Sequence, residues 1–195
     1  MTGKFIVLYG INNLGKSTQA KMLVDRLNAE GKKAVYWKYP RYDVAPAGPL
    51  INDYLRGGNP YNFTPREIQL LHYADRLKVE PELKEMLTDG THVIAEDYFG
   101  TAVAWGAGAG VEMDLLKKLY ATLRKEDLAI LFDGERFTEA VEKNHKHETD
   151  NDLTNKVREA HMHIGAKFGW QTVNANQPIE TIHNWLWEQV RTVIS

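Results

Sequence analysis

Residues Gly10-Ile11-Asn12-Asn13-Leu14-Gly15-Lys16-Ser17 fit the pattern G-x-x-x-x-G-K-[ST]. Glycines at its two ends let backbone N–H groups turn inward around phosphate oxygens, and a helix starting at the lysine would aim its positive end at the same anions. Lys16 is then placed to reach the β- and γ-phosphates and Ser17 to ligate Mg²⁺. By itself the loop specifies a nucleoside triphosphate and does not separate kinases from GTPases or motor ATPases. The Asn-Lys-x-Asp segment with which a GTPase reads its base is absent, and Phe132-Asp133-Gly134-Glu135 stands after the fourth predicted strand instead.

Two more constellations carry chemistry. His72 and Arg76 are four residues apart and share one helix face, which sets a flat ring beside a forked set of donors, a pairing suited to reading a base. Glu96-Asp97 closes a short apolar run, the arrangement in which an acid holds Mg²⁺ directly or through water. The same two acids would also serve to cap a following helix. A polar stretch over 137–152 holds Lys143, His145, Lys146, His147, Glu148 and Asp150. Such a stretch suits either a mobile lid or solvated surface, and alternating ligand types in it make a poor preformed metal site.

The elements that must position these residues alternate. Phe5–Tyr9 is a continuous apolar run, as a strand buried on both faces reads. Helix follows over Ser17–Ala29 with Gly31 at its end, then a strand over Ala34–Trp37, and a short helix around Leu50–Leu55 stopped by Gly57-Gly58. Thr64-Pro65-Arg66-Glu67 carries the signals of a capped helix start, and Pro81 is expected to kink or divide that helix. Strands at His92–Ala95, Leu128–Phe132 and Gln171–Asn174 are interleaved with helices around Leu115–Leu119, at Val157–Phe168 and at Ile179–Val193. This predicts an α/β fold in three layers, a parallel sheet of about five strands with helices on both faces, in one domain over 1–195. Ligands of such sheets bind at the carboxyl ends of the strands, where the motifs fall. Trp185 and Trp187 read as packing residues. Gly106 to Gly110 follows no strand, so it is no dinucleotide fingerprint; it is expected to let the backbone pass close to a substrate or a partner subunit.

Bulk properties agree with a small-molecule enzyme. Lys plus Arg number 24 against 26 Asp plus Glu in 195 residues, without the basic excess of a nucleic-acid polymer binder. There is no cysteine, which removes disulfides and thiolate chemistry. No apolar run is long enough for a membrane span or a signal segment, so a cytoplasmic location is expected.

Gly10 to Thr18, Tyr39-Pro40-Arg41-Tyr42, Leu70-Leu71-His72-Tyr73-Ala74-Asp75-Arg76, and Glu96-Asp97-Tyr98 followed by Thr101 together resemble the bacterial thymidylate kinase family, in order and over essentially the whole chain. Val157-Arg158-Glu159-Ala160 through Phe168-Gly169-Trp170 looks like that family's last helix and strand. The resemblance implies transfer of the ATP γ-phosphoryl group to dTMP with Mg²⁺, commonly by a homodimer, under a lid formed here around Lys143 to Glu148. It implies that Asn12, Asn13, Gly15, Lys16, Ser17, Thr18 and Lys143 bind ATP. Tyr39 and Arg41 then lie in the acceptor region, Arg41 on its phosphate. Arg76 matches the arginine on the thymine edge, His72 a position usually held by a stacking phenylalanine, and Tyr98, Thr101 and Trp105 match residues lining the sugar and base pocket.

Three positions depart from the family. Asn12 stands where an acid is usual. Asp97 stands where the Asp-Arg pair after the third strand has its arginine. No arginine occurs between Arg136 and Arg158. Recruitment of the metal by Glu96 or Asp97 would offset the charge missing at Asn12, with Lys16 and Arg41 stabilising the transferring charge. A kinase for another deoxynucleotide or a nucleoside, and a non-catalytic nucleotide-binding relative, stay open at this level.

Overall fold

In the computed structural model, which describes residues 2–137, 145–146 and 150–194, the run Phe5–Tyr9 is strand β1 and all five of its side chains are buried. β2 (Ala34–Lys38), β3 (His92–Glu96), β4 (Leu128–Asp133) and β5 (Gln171–Asn174) complete one parallel sheet in the order β2-β3-β1-β4-β5. β1 is central and pairs on one side with β3, Leu8 opposite Glu96, and on the other with β4, Tyr9 opposite Leu131. A strand flanked on both edges and covered on both faces must be apolar throughout.

Seven helices are described: α1 (Lys16–Ala29), α2 (Ala47–Arg56), α3 (Pro65–Thr88), α4 (Phe99–Gly108), α5 (Met113–Tyr120), α6 (Asn151–Phe168) and α7 (Ile179–Ile194). α1 packs on β1, β2 and β3 and against α7, while α3 packs on β3 and α6 on β4, with α4 wedged against α3, α5 and α6. Apolar side chains from sheet and helices form one continuous core, and Ile51, Tyr54, Leu55 and Ile68 form a smaller cluster between α2 and α3. α3 starts as its sequence predicts. The Thr64 hydroxyl takes the Glu67 N–H while the Glu67 carboxylate takes the Thr64 N–H, a reciprocal cap.

Pro81 does not divide α3, which runs unbroken from Pro65 to Thr88 with Pro81 inside it; Val79, Leu83 and Leu87, on both sides of the proline, are buried in the core. Of the glycines after Trp105, the first two in the run serve the packing of the chain itself. Gly106 and Gly108 belong to α4, and a Cβ at Gly106 would come within 2.9 Å of Gln69 and Leu116, one at Gly108 within 2.6 Å of Val157. Their small size lets α4 lie close to α3, α5 and α6.

Candidate functional site

β1 ends at Tyr9, and the chain turns through 10–15 before α1 begins at Lys16. Asn13 and Gly15 both have positive φ, 63° and 77°, and Gly15 is the residue on which α1 starts. That left-handed step is nearly cost-free only for glycine, and it points successive N–H groups into the bowl of the loop. Lys16 is buried under it, its Nζ donating to the carbonyls of Gly10 at 3.0 Å and Ile11 at 2.7 Å.

The parallel register sets the end of β3 beside this loop. Glu96 is buried and accepts hydrogen bonds from Ser17 Oγ at 2.5 Å, Tyr36 OH at 2.6 Å and Lys38 Nζ at 3.1 Å. Burial pushes its carboxyl up, but the charges of Lys16 and Lys38 and the bonds from Ser17 and Tyr36 outweigh that and hold it below its ordinary value. Asp97, next in the chain, takes a different part. Its φ is 59°, its Oδ1 accepts from Thr101 Oγ1 at 2.9 Å, and the same oxygen lies 3.7 Å from Lys16 Nζ. Full burial drives its carboxyl above the ordinary value, with the Lys16 charge opposing. Neither acid caps α4 in the ordinary way, since Tyr98 is the N-cap and no side chain bonds to that end.

From the loop a cavity of about 470 Å³ runs along the carboxyl ends of β1, β2 and β3 to α3 and α4. The loop residues Asn12, Asn13, Gly15, Lys16, Ser17 and Thr18 line one end, with Glu96 and Asp97 beside them. Tyr39, His72, Arg76, Thr101, Ala102 and Trp105 line the other, deeper end. Arg76 is almost fully buried; its Nη1 donates to the His72 carbonyl at 2.8 Å and its Nη2 to the Tyr98 carbonyl at 3.0 Å. A guanidinium has five N–H donors, so Arg76 is fixed in place with donors to spare. The Tyr39 ring lies 5.3 Å from the same guanidinium, and the Arg41 N–H donates to Asp75 Oδ1 at 2.9 Å, which ties the loop after β2 to α3.

The chain is similar to known proteins along nearly its whole length. A sequence model of the thymidylate kinase family matches residues 8–186. The chain is 32% identical to the probable thymidylate kinase of Thermococcus kodakarensis over 203 aligned positions, which cover 97% of this chain and 98% of that one. It belongs to the thymidylate kinase family. Human thymidylate kinase is 28% identical, with 93% and 86% of the two chains covered. The fold is that of the Candida albicans thymidylate kinase structure, at a TM-score of 0.83 and 22% identity over 98% of this chain and 92% of that one.

Not every residue singled out for thymidylate kinase chemistry reaches the cavity. Arg41 does not line it. The Arg41 guanidinium lies over the Trp37 ring at 4.7 Å and 3.4 Å from Asp43, in an adjoining hollow that shares Lys38, Pro40 and Tyr42 with the cavity. Tyr98 does not line it either. Its ring packs inward at 5.0 Å from both Phe5 and Tyr39, and only its carbonyl serves the site, through Arg76. Lys143 lies outside the described residues, as do His147 and Glu148 and most of the stretch expected to form the lid. His145, within that stretch, is buried against the cavity, and Lys146 Nζ lies 4.3 Å from the Tyr54 ring. Among the described residues no three His, Asp or Glu side chains group as a metal cluster.

The sequence reading missed Tyr36, Lys38, Tyr42 and Arg56. Lys38, Tyr42 and Arg56 line the cavity, and Tyr36 and Lys38 hold Glu96. For Tyr36 and Lys38 a signal existed: alternate residues of a parallel strand ending beside Glu96 put their side chains on one face. Arg56 closes a helix distant in sequence from every motif, so only the packing of α2 against α3 brings it in.

Proposed function

We infer that this chain transfers the γ-phosphoryl group of ATP to the 5′-phosphate of dTMP, forming ADP and dTDP. The carrying observation is the shape of the cavity. One continuous space joins a phosphate-binding loop to a deep end walled by Trp105, His72 and a fixed arginine, so donor and acceptor can meet in line at its middle. Family membership points the same way.

Phosphoryl transfer asks for positioning and charge neutralisation more than for covalent chemistry. The loop amides and Lys16 bind the β- and γ-phosphates, Lys16 moving from the Gly10 and Ile11 carbonyls to phosphate oxygens. Asp97 orients Lys16 from behind. Ser17 Oγ and the ionised Glu96 suit a magnesium ion, which takes one or two protein oxygens and leaves its other positions to water and phosphate. Held by Ser17 and Glu96, such an ion would supply charge neutralisation for the transferring phosphates. Thr101 faces the sugar. Arg76 directs its remaining donors at the base edge, while the His72 ring and Trp105 cover the base. A cytoplasmic homodimer fits this reading; Leu70 and Leu77, exposed on one face of α3, are the surface to examine by light scattering.

The test is an ADP-release assay with ATP and Mg²⁺ against a panel of nucleoside monophosphates and nucleosides, with Lys16→Ala as control. Turnover strongest on dTMP and lost in the control is expected. Turnover confined to another monophosphate or to a nucleoside would replace dTMP, and nucleotide binding without turnover on any acceptor would overturn the kinase reading.

A further inference from the structure

The acceptor carries a phosphate that must be held close to another polyphosphate, so the middle of the cavity needs cations besides Lys16. The residues to which the family resemblance assigns this work do not supply them here. Asp97 stands in place of an arginine, and Arg41 is turned out of the cavity onto Trp37 and Asp43. Arg76 is committed to two backbone carbonyls at the deep end. Among the described lining residues the remaining lysine and arginine side chains are Lys38 and Arg56.

Both line the cavity that the phosphate loop shares with His72, Arg76 and Trp105. Arg56 is the last residue of α2, where the negative end of the helix favours a cation. Its Nη1 donates to Asn52 Oδ1 at 3.2 Å, and its guanidinium lies over the Tyr42 ring, 4.8 Å from the ring centre. A planar guanidinium presents its donors in the fork that matches a phosphate. Lys38 ends β2, with its Nζ on Glu96 Oε1 at 3.1 Å and its side chain half exposed to the cavity. It can keep that contact and still offer two N–H donors to a phosphate.

We propose that Arg56 and Lys38, and not Arg41, clamp the acceptor phosphate, with Asn52 and Tyr42 positioning Arg56. The proposal rests on the dTMP reading and deepens it. Lys38 thereby links the carboxylate on the metal side to the acceptor, so both substrates draw on one charge network. This clamp also accounts for the tolerance of Asp97, because the arginine missing there is replaced from β2 and α2.

Calorimetric binding of dTMP and of thymidine to the full-length protein separates contact with the phosphate from contact with the rest of the nucleotide. Wild-type protein is expected to prefer dTMP. Arg56→Gln and Lys38→Gln should each weaken dTMP binding about 10- to 100-fold, the usual size of a charged hydrogen-bond loss, and leave thymidine binding unchanged. Arg56→Lys should recover part of the loss, and Arg41→Gln should bind both ligands like wild type. Retention of the dTMP preference in Arg56→Gln and Lys38→Gln, or its loss in Arg41→Gln, would overturn the proposal. Equal loss of dTMP and thymidine in Arg56→Gln and Arg56→Lys would make Arg56 a structural residue and overturn it too. Wild-type protein that itself shows no preference for dTMP over thymidine would instead overturn the dTMP reading, and no variant is needed to see that.

Discussion

Ser17 and Glu96 stand 79 residues apart in the chain, yet Ser17 Oγ donates to Glu96 Oε2 at 2.5 Å. The first residue pair of α1 and the last residue of β3 meet because β1 and β3 are parallel neighbours in register. A phosphate loop after one strand and an acid at the end of its sheet neighbour are thereby joined into a single corner of the cavity.

Glu96→Gln should lower kcat by about 10- to 100-fold, the usual size of loss when the support of a metal is weakened, and should raise the Mg²⁺ concentration needed for half-maximal turnover. Asp97→Asn should slow turnover while leaving that midpoint in place, because Asp97 faces Lys16 and Thr101. Titration of activity with Mg²⁺ checks both. An unchanged midpoint in Glu96→Gln would remove the metal role from that residue.

His161 gives the fold an acid-sensitive point. Its ring is buried, with one nitrogen 3.0 Å from the Val157 carbonyl and the other 3.4 Å from Thr101 Oγ1. Burial lowers its pKa to about 3. The unfolded chain takes up a proton below pH 6.5 and the native protein does not until about pH 3. Stability is therefore complete above 6.5 and lost as pH falls through that window, at up to about 1.4 kcal/mol per pH unit. Urea unfolding at several pH values should show this slope, and His161→Gln should show a shallower one.

Gly100→Ala should destabilise and also impair acceptor binding. An added Cβ would lie 2.2 Å from the Trp170 ring and 2.9 Å from Tyr9, whose rings stack at 4.0 Å. Rigid rings cannot yield as a flexible side chain can, so a cost of roughly 1–3 kcal/mol, or a Tm drop of roughly 3–10 °C, is expected. The start of α4 would shift and carry Thr101 and Trp105 with it, raising the KM for dTMP more than that for ATP. A thermal melt together with the two KM values checks this.

Thr64→Ala removes one half of the reciprocal cap on α3 and should cost about 1 kcal/mol. Thr64 is exposed and does not line the cavity, so kcat and both KM values should stay at wild-type levels. A melt shifted down by roughly 2–4 °C with unchanged kinetics is the expected result.

Local rules made much of the molecule legible before any coordinates. β1 announced itself because a doubly covered strand must be apolar at every position, and Lys16 and Ser17 because only a few residue types can wrap a triphosphate. The capped start of α3 followed from Thr64 and Glu67 in the same way. α4 was illegible: its glycines oppose a helix on propensity, and only the close packing of α3, α5 and α6 makes small residues an advantage there.

The sequence by itself determined the alternation of strands and helices, the phosphate loop, and the acids and arginines available to it, because these depend on neighbours within a few residues. Tertiary structure decided which of them share one space. Arg41 lies within a motif and does not line the cavity, whereas Arg56 lies in no motif and does. Direction into a cavity depends on how α2, α3 and the loop after β2 pack, through contacts such as Arg41 N–H to Asp75 and Arg56 to Asn52 and Tyr42. The first of these joins residues far apart in the chain, and the place of all of them in the cavity is set by packing that residue order alone does not reveal.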